Sequence, residues 1–500
     1  MSETPLKSIL VIGDTLEGWL SAAFLAQQFK GTGLSVSLCA HPNQAQMHAP
    51  IVAATPSLAK LHSALKLDER DIIKFCRASF RLGAHFENWH KGGKASYVHA
   101  YHNQTEAMDG VGFHHHWLRL HEVGKADAFD NYSLSARMGR AGKFRHPMPD
   151  DTKLRASFSY GYHLDSALYT EFMRKCANHY GVHTLGSPVN DINIDETGIS
   201  SVTLEGGSSF SADLYLDCTG ADGHVISLLG KSDWQDWGAQ TPFAHIAWAH
   251  TTPKSPIGLA QIRTFSHGWT GTLPLQSGPL QSSGARMCVY AQGGEDKLAD
   301  LLGTDDLQTR KLNTGKRHAP WVGNCIAIGQ SACNLEPLEG PDLCFHEASL
   351  STLRALFPAN TADCGERAEY NRIMGETFAR FRDIQIAHYK LVGHQGDVWD
   401  ACADLACSDE LACKMEQFES RGRMVMYDYE SFNAESWIAL FLGQGLTPKR
   451  IDPLAQTMPM AKLETSLSHL RKAIDQAVGS MPDQLDYLAS AGVLTPQNSI

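Results

Sequence analysis

Residues Ser8–Gly13 read SILVIG, an apolar run of strand length that stops at a glycine. A strand buried on both faces carries continuous rather than alternating apolar residues, as in parallel sheets. A short turn, DTLEG, follows. Helical apolar spacing then runs from Trp19 to Phe29, and a second apolar strand covers Leu34–Cys39. A strand, a glycine turn, a helix and a parallel strand together make the βαβ entrance of a dinucleotide-binding sheet. Its helix N-terminus points free amides at a pyrophosphate. Gly13 and Gly18 stand at the outer positions of the expected G-x-G-x-x-G turn, and Thr15 at the middle one. The carboxylate that usually takes the ribose after the second strand is replaced by Cys39-Ala40-His41.

The chain has 500 residues, enough for one composite core or two to three domains. Its formal net charge of −11 argues against a nucleic-acid partner, because phosphate contact needs a basic surface. No run reaches the roughly 18 apolar residues of a membrane span, and the start lacks the pattern of a secretory signal. The 12 cysteines are scattered. Cys402, Cys407 and Cys413 come nearest to a cluster, but their gaps fit no zinc pattern. Free thiols in a reducing cytoplasm are expected. His114-His115-His116 reads as a partly exposed strand or loop, where neighbouring side chains alternate and do not converge on one ion.

Residues 58–90 read as helical and then extended. A helix is expected over 165–181, capped by Asp165 or Ser166 and ended by Gly181. A β-meander follows and returns to the buried strand DLYLDCTG. NCIAIG, near Asn324–Gly329, reads as a further buried strand leading to a helix, and from about residue 361 the pattern is mainly helical.

Several segments occur in a characteristic order: VIGDTLEGWLSAAFLA, FRLGAHFENW, YGYHLDSALYTEFMRKCANHYGV, ADLYLDCTGADG, GWTGTLPL, WVGNCIAIGQSACNLEPLEG, FRDIQIAHY and SWIALFLGQGLTP. Through this ordered set the chain resembles the flavin-dependent tryptophan halogenases from about residue 9 to about residue 460. The resemblance implies an α/β fold, a glutathione-reductase-like FAD/NAD(P)-binding domain with a Rossmann βαβ entrance, fused to a mainly helical substrate-binding part. The FAD-binding domain would occupy 1–360, with substrate-binding segments interleaved near 60–160 and 240–315, and the helical part 361–500. The implied flavin-side positions are Gly13, Asp14, Thr15, Gly18, Trp19, Val189, Gly220, Gly329, Gln330 and Leu343. The implied activity uses FADH2 from a separate flavin reductase, oxygen and halide to make hypohalous acid, which travels to a lysine. Tryptophan or another electron-rich aromatic, free or in a peptide, is then halogenated beside a glutamate. A homodimer is one admissible assembly.

This sequence departs from the family pattern at the working positions. Arg81 stands where the family has lysine, and a guanidinium stays protonated in essentially any site, so it does not take up a halogen as a neutral amine can. Glu336, Pro337, Leu338 and Glu339 match, with Glu339 at the position of the catalytic glutamate. The following S-T-G, whose amides hold halide in the family, is Gly340-Pro341-Asp342 here. Proline donates no amide, and a carboxylate about 4 Å from a halide repels it by about 4 kcal/mol at an effective dielectric of 20. That corresponds to a loss of roughly a thousandfold in occupancy. In the tunnel stretch Trp269 is kept, while Gly271 replaces the second tryptophan and is expected to open space. Halogenation is therefore the parent activity, expected to be weakened or altered here. The alternatives are an aromatic hydroxylase and a non-catalytic binding partner.

Overall fold

The computed structural model describes residues 5–44, 49–90, 95–101, 107–148, 154, 158–252, 258–276, 284–360 and 365–492. The chain forms two compact units: Met1–Ala78, Leu164–Ala239 and Leu312–Arg380 make the first, and Ser79–His163, Gln240–Lys311 and Phe381–Ile500 the second.

The first unit is built on β1 (Ser8–Ile12), α1 (Leu16–Gln28), β2 (Ser35–Cys39), α2 (Ser166–His179), β3 (Leu214–Asp217), β4 (Cys325–Ala327) and α3 (Pro341–Ala355). The sheet runs in the order Trp321–Val322, β4, β3, β1, β2, His183–Thr184. β1 pairs in parallel with β2 and β3, which sets Ile12 between Cys39 and Asp217. Ile9, Leu10, Val11 and Ile12 are all buried, so the apolar run lies inside a doubly covered sheet. Each such side chain contributes about 1.5–3 kcal/mol relative to exposure. α1 starts at Leu16, one turn earlier than apolar spacing indicates, because Thr15 caps it. α2 is capped by Asp165, which accepts the Leu168 amide at 3.1 Å, and the chain turns away at Gly181 with φ +89°. After β4 comes one 3-10 turn, Gly329–Ser331, rather than a helix; the helix begins only at Pro341.

The second unit carries a seven-stranded sheet in the order Gln308–Lys311, His245–Thr251, Gly284–Tyr290, Gly268–Pro274, Ala260–Phe265, Gly83–Glu87, Ser96–Ala100. Only the pair Ala260–Phe265 and Gly83–Glu87 is parallel. The helix Ala434–Gly443, capped by Asn433, packs against Ser96–Ala100. A buried Lys414–Glu430 pair at 2.7 Å is completed by the Val425 carbonyl and by the Trp437 indole, which donates to Glu430. A buried charge pair is tolerated when its remaining hydrogen-bonding capacity is met in this way.

His114-His115-His116 corrects the strand-or-loop expectation. The three lie within a helix, Phe113–Glu122, and all are buried. Each finds its own backbone partner: His114 Nε2 meets Gly422 O at 2.7 Å, His115 Nδ1 accepts the Asp452 amide at 3.2 Å, and His116 Nε2 meets Met108 O at 3.1 Å. Burial and the neighbouring imidazoles push His114 down to about 4, against the hydrogen bond to Gly422. These rings are structural pins.

Candidate active site

At the carboxyl edge of the first unit's sheet the chain leaves β1 through Gly13, whose φ is +131°. A Cβ there would lie 2.4 Å from the Cys218 carbonyl oxygen, and one on Gly18 would lie 1.9 Å from the Gly13 carbonyl oxygen. Both glycines are thus required by the close approach of strand, turn and helix. Thr15 is buried, and its hydroxyl accepts the Gly18 amide and donates to the Cys218 carbonyl, both at 3.1 Å. The side chain at the middle turn position points into the protein and leaves the mouth of the turn clear. Asp14 accepts the Trp19 indole at 2.5 Å, and its amide donates to Gln44 Oε1 at 2.7 Å.

Of the other flavin-side positions, Val189 is tied to the end of β2, Gly220 is bonded to Ser331, and Gly329 lies close against α1. The Val189 amide donates to the Ala40 carbonyl just beyond β2. Ser331 Oγ accepts the Gly220 amide at 3.1 Å and lies 2.9 Å from the Gly220 carbonyl oxygen and 3.2 Å from Asp217 Oδ1. Gly329, at φ +66°, comes so near Glu17 that a Cβ would sit 2.5 Å from its Cγ. Gln330 and Leu343 are buried. Glycine turns, an open helix N-terminus and an inward Thr15 fit the pyrophosphate of a dinucleotide such as FAD. Glu17, in the first turn of α1, and Asp14, in the turn itself, are carboxylates near the same helix end.

Sequence reasoning passed over the groups that fix this edge. Asp217 is fully buried and accepts from the amides of Thr219, Val225 and Ile226 and from the Thr219 hydroxyl. Arg317 donates to the carbonyls of Ser331, Ser232 and Asp222 and to Ser227 Oγ, and burial lowers its pKa. A polar residue ending an apolar strand was the available signal for Asp217; Arg317 carried none.

Glu336 and Glu339 are buried just ahead of α3. Glu339 has φ +67° and Gly340 φ +76°, two successive left-handed residues. For a residue with a side chain this region costs of order 1–3 kcal/mol and persists where the surroundings enforce it. Pro341 is the first residue of α3, where its missing amide hydrogen would have had no partner within the helix. Asp342 lies in the first turn, half-buried, where it stabilises the positive end of the helix dipole.

In the second unit, Arg81 ends the strand Ser79–Arg81, paired antiparallel with Gly161–His163. It is buried, and its guanidinium carbon lies 5.2 Å from the centre of the Tyr101 ring. His163 is pushed well below its ordinary range by burial and then by Arg81. Trp269 is fully buried and its indole N–H meets the Tyr389 hydroxyl at 3.3 Å. The expected opening at Gly271 is not found. A Cβ there would meet Met287 Cγ at 3.1 Å, Ile262 Cδ1 at 3.4 Å and the Trp269 ring at 3.4 Å, so these side chains pack directly against Gly271. Among the described residues no helix is long and apolar enough to cross a membrane.

Comparison with known proteins places this geometry. Residues 8–460 match the tryptophan halogenase family. Tryptophan 6-halogenase ThaL of Streptomyces albogriseolus is 24% identical over 97% of this chain and 98% of its own length. Tryptophan 7-halogenase RebH of Lentzea aerocolonigenes is 24% identical over 96% and 95%. Among solved structures, BrvH, a flavin-dependent halogenase from Brevundimonas sp. BAL3, superposes with a TM-score of 0.90 at 27% identity, covering 98% of this chain and 99% of that one. Xcc4156, a flavin-dependent halogenase from Xanthomonas campestris, gives 0.91 at 27% identity, with 99% and 100% covered. The protein is a halogenase-like flavoprotein of α/β fold, and the chain belongs to the tryptophan halogenase family.

Proposed function

We propose that this chain oxidises an electron-rich aromatic, tryptophan or a related indole or phenol, and that its station for chloride or bromide is weak. Reduced FAD, delivered by a separate flavin reductase, would be held at Gly13, Gly18, Gly220 and Gly329 and would supply the activation of oxygen. Glu339 is assigned the aromatic N–H or O–H, as hydrogen-bond acceptor and base. Arg81 is assigned the oxidant, as a fixed hydrogen-bond donor that does not form an N-halo species.

The observation that carries the reading is the entrance to α3. The backbone twist at Glu339 and Gly340 holds the glutamate in place, which supports a retained aromatic anchor. Pro341 and Asp342 then offer an anion one amide fewer and one negative charge more. A carboxylate about 4 Å from a halide repels it by about 1 kcal/mol in water and about 4 kcal/mol at an effective dielectric of 20. Asp342 is half-exposed, so solvent screens it and the lower part of that range applies. The loss of halide occupancy is nearer to roughly fivefold than to roughly a thousandfold.

The test supplies FAD, a flavin reductase with its nicotinamide donor, oxygen and a panel of indoles and phenols, with and without bromide. Oxidised aromatic in halide-free buffer is expected, with halogenated product only at high bromide. Asp342→Ser should lower the bromide concentration for half-maximal halogenation by at least about fivefold. Halogenation by the unaltered protein that saturates at low bromide and ignores Asp342→Ser would overturn the weak-halide reading. No product of either kind, with no FAD binding, would leave a non-catalytic partner as the function.

A further inference from the structure

Ser79–Arg81 is an edge strand, paired on one side with Gly161–His163. Alternate residues of such a strand turn their N–H and C=O to opposite sides. The two backbone groups of Phe80 face outward and meet one side chain. The Phe80 amide donates to Gln484 Oε1 at 2.9 Å, and Gln484 Nε2 donates to the Phe80 carbonyl at 3.2 Å. A carboxamide carries an acceptor beside its donors, so it can stand in for a neighbouring strand at a single residue. Gln484 is fully buried, where an unmet backbone group is costly.

The Phe80 carbonyl belongs to the peptide that enters Arg81. The peptide that leaves Arg81 is held as well: the Leu82 amide donates to the Gly258 carbonyl at 2.8 Å. The Leu82 carbonyl accepts the amide of Tyr101 at 3.2 Å, and the Tyr101 ring faces the Arg81 guanidinium. Both peptide planes beside Arg81 are therefore pinned, and they set the direction in which its side chain leaves the strand. Gly258 also lies against Gln484: a Cβ on it would be 3.6 Å from Gln484 Nε2.

Gln484 is itself fixed. It opens the helix Gln484–Ser490, and its amide donates to the Gly142 carbonyl at 2.8 Å. The Phe144 amide donates to the Pro482 carbonyl, and Lys143 Nζ to the Met481 carbonyl at 2.9 Å. Phe144 in turn stacks on the Phe80 ring, with centres 3.8 Å apart and planes differing by 9°. The backbone and the ring of Phe80 are thus gripped together. Gln484 lies beyond residues 8–460, the stretch matched to the halogenase family.

We propose that Gln484 is a positioning residue for Arg81: its carboxamide fixes the peptide before Arg81 and thereby aims the guanidinium. It touches neither oxidant nor aromatic. This rests on the reading of Arg81 as the donor to the oxidant. The aromatic is assigned to Glu339, so loss of the aim should slow turnover and leave aromatic binding alone. A displacement of about 1 Å in a reacting group can cost about a hundredfold in rate.

The experiment compares Gln484→Met, which keeps length and volume and loses both bonds, with Tyr487→Phe, which removes from the same helix a hydroxyl bonded to His146 and leaves Gln484 in place. One readout is steady-state turnover of indole and of phenol with FAD, a flavin reductase, its nicotinamide donor, oxygen and high bromide. The other is the side-chain N–H resonance of Arg81, identified by its absence from Arg81→Ala and shifted by the facing Tyr101 ring. Gln484→Met should lower kcat by at least about tenfold, keep the aromatic KM within about twofold, and move the resonance. Tyr487→Phe should change none of these. An unmoved resonance, an unchanged kcat where Arg81→Ala loses turnover, or equal effects in Tyr487→Phe overturns the positioning. Full turnover in Arg81→Ala, or no product from the unaltered protein, overturns the oxidant reading instead, and the resonance then decides the positioning by itself. Should Gln484→Met fail to fold, Lys143→Met, which releases the Met481 carbonyl, takes its place, and the same resonance must move.

Discussion

The hydroxyl of Thr15 donates to the Cys218 carbonyl oxygen at 3.1 Å, so the residue that replaces the middle glycine of the turn ties α1 to the end of β3. The Thr15 hydroxyl oxygen also caps α1 by accepting the Gly18 amide. Thr15→Val keeps the shape and loses both bonds, and should cost about 1–3 kcal/mol in urea unfolding. Thr15→Gly, which restores the usual turn, should leave FAD affinity within about threefold of the original, because the side chain never enters the cradle. A large gain in affinity would show that the threonine blocks the nucleotide.

Glu339 sits at φ +67°, a conformation glycine adopts without penalty. Glu339→Gly should therefore be about 1 kcal/mol more stable than Glu339→Ala by chemical denaturation. Both variants should lose aromatic product formation. Equal stabilities would mean that the backbone there relaxes once the carboxyl is gone.

Restoring the missing indole should harm this chain. Gly271→Trp has to displace Met287, Ile262 and Trp269, and overpacking of this kind costs about 1–3 kcal/mol or more. Pairing it with Met287→Ala should recover part of the loss, a coupling readable in a double-mutant cycle. An additive cycle would place the indole elsewhere.

His346 of α3 is fully buried, with Nε2 at 3.2 Å from Ser21 Oγ. Burial lowers its pKa from 6.5 to about 4, opposed by Glu17. A base whose folded pKa is depressed stays neutral in the fold while the unfolded chain takes up a proton. Its contribution is therefore complete above pH 6.5 and is lost as pH falls toward about 4. The loss is about 3 kcal/mol at most. His346→Gln should flatten the acid limb of a stability–pH curve over that window. An unchanged limb would assign it to other buried histidines, such as His62, also lowered to about 4.

The parts of this fold legible in the sequence are those where one local rule decides. The run at Ser8–Ile12, the glycines of its turn and the Asp165 cap each have a single cheap solution, and the strands and helices form there. What escaped depends on partners distant in sequence. The three histidines at 114–116 read as a partly exposed strand or loop rather than a buried helix, because Gly422, Asp452 and Met108, which satisfy them, lie elsewhere in the chain. Gly271 looked like a vacancy because Met287 and Ile262 reach it from other strands. The inward turn of Thr15 was not legible, because a sequence does not say which way a hydroxyl points. Among the site residues, the glycines and Glu339 could be named from order alone. The hold of Gln484 on Phe80 joins residues 404 positions apart, which no local rule reaches.

The outermost described strand of the seven-stranded sheet, Gln308–Lys311, is mostly solvent-facing and carries Arg310 and Lys311 side by side. A second molecule adding its own copy of this strand would set cation against cation along the new seam. This edge of the sheet is in this way guarded against zipping onto its own copy.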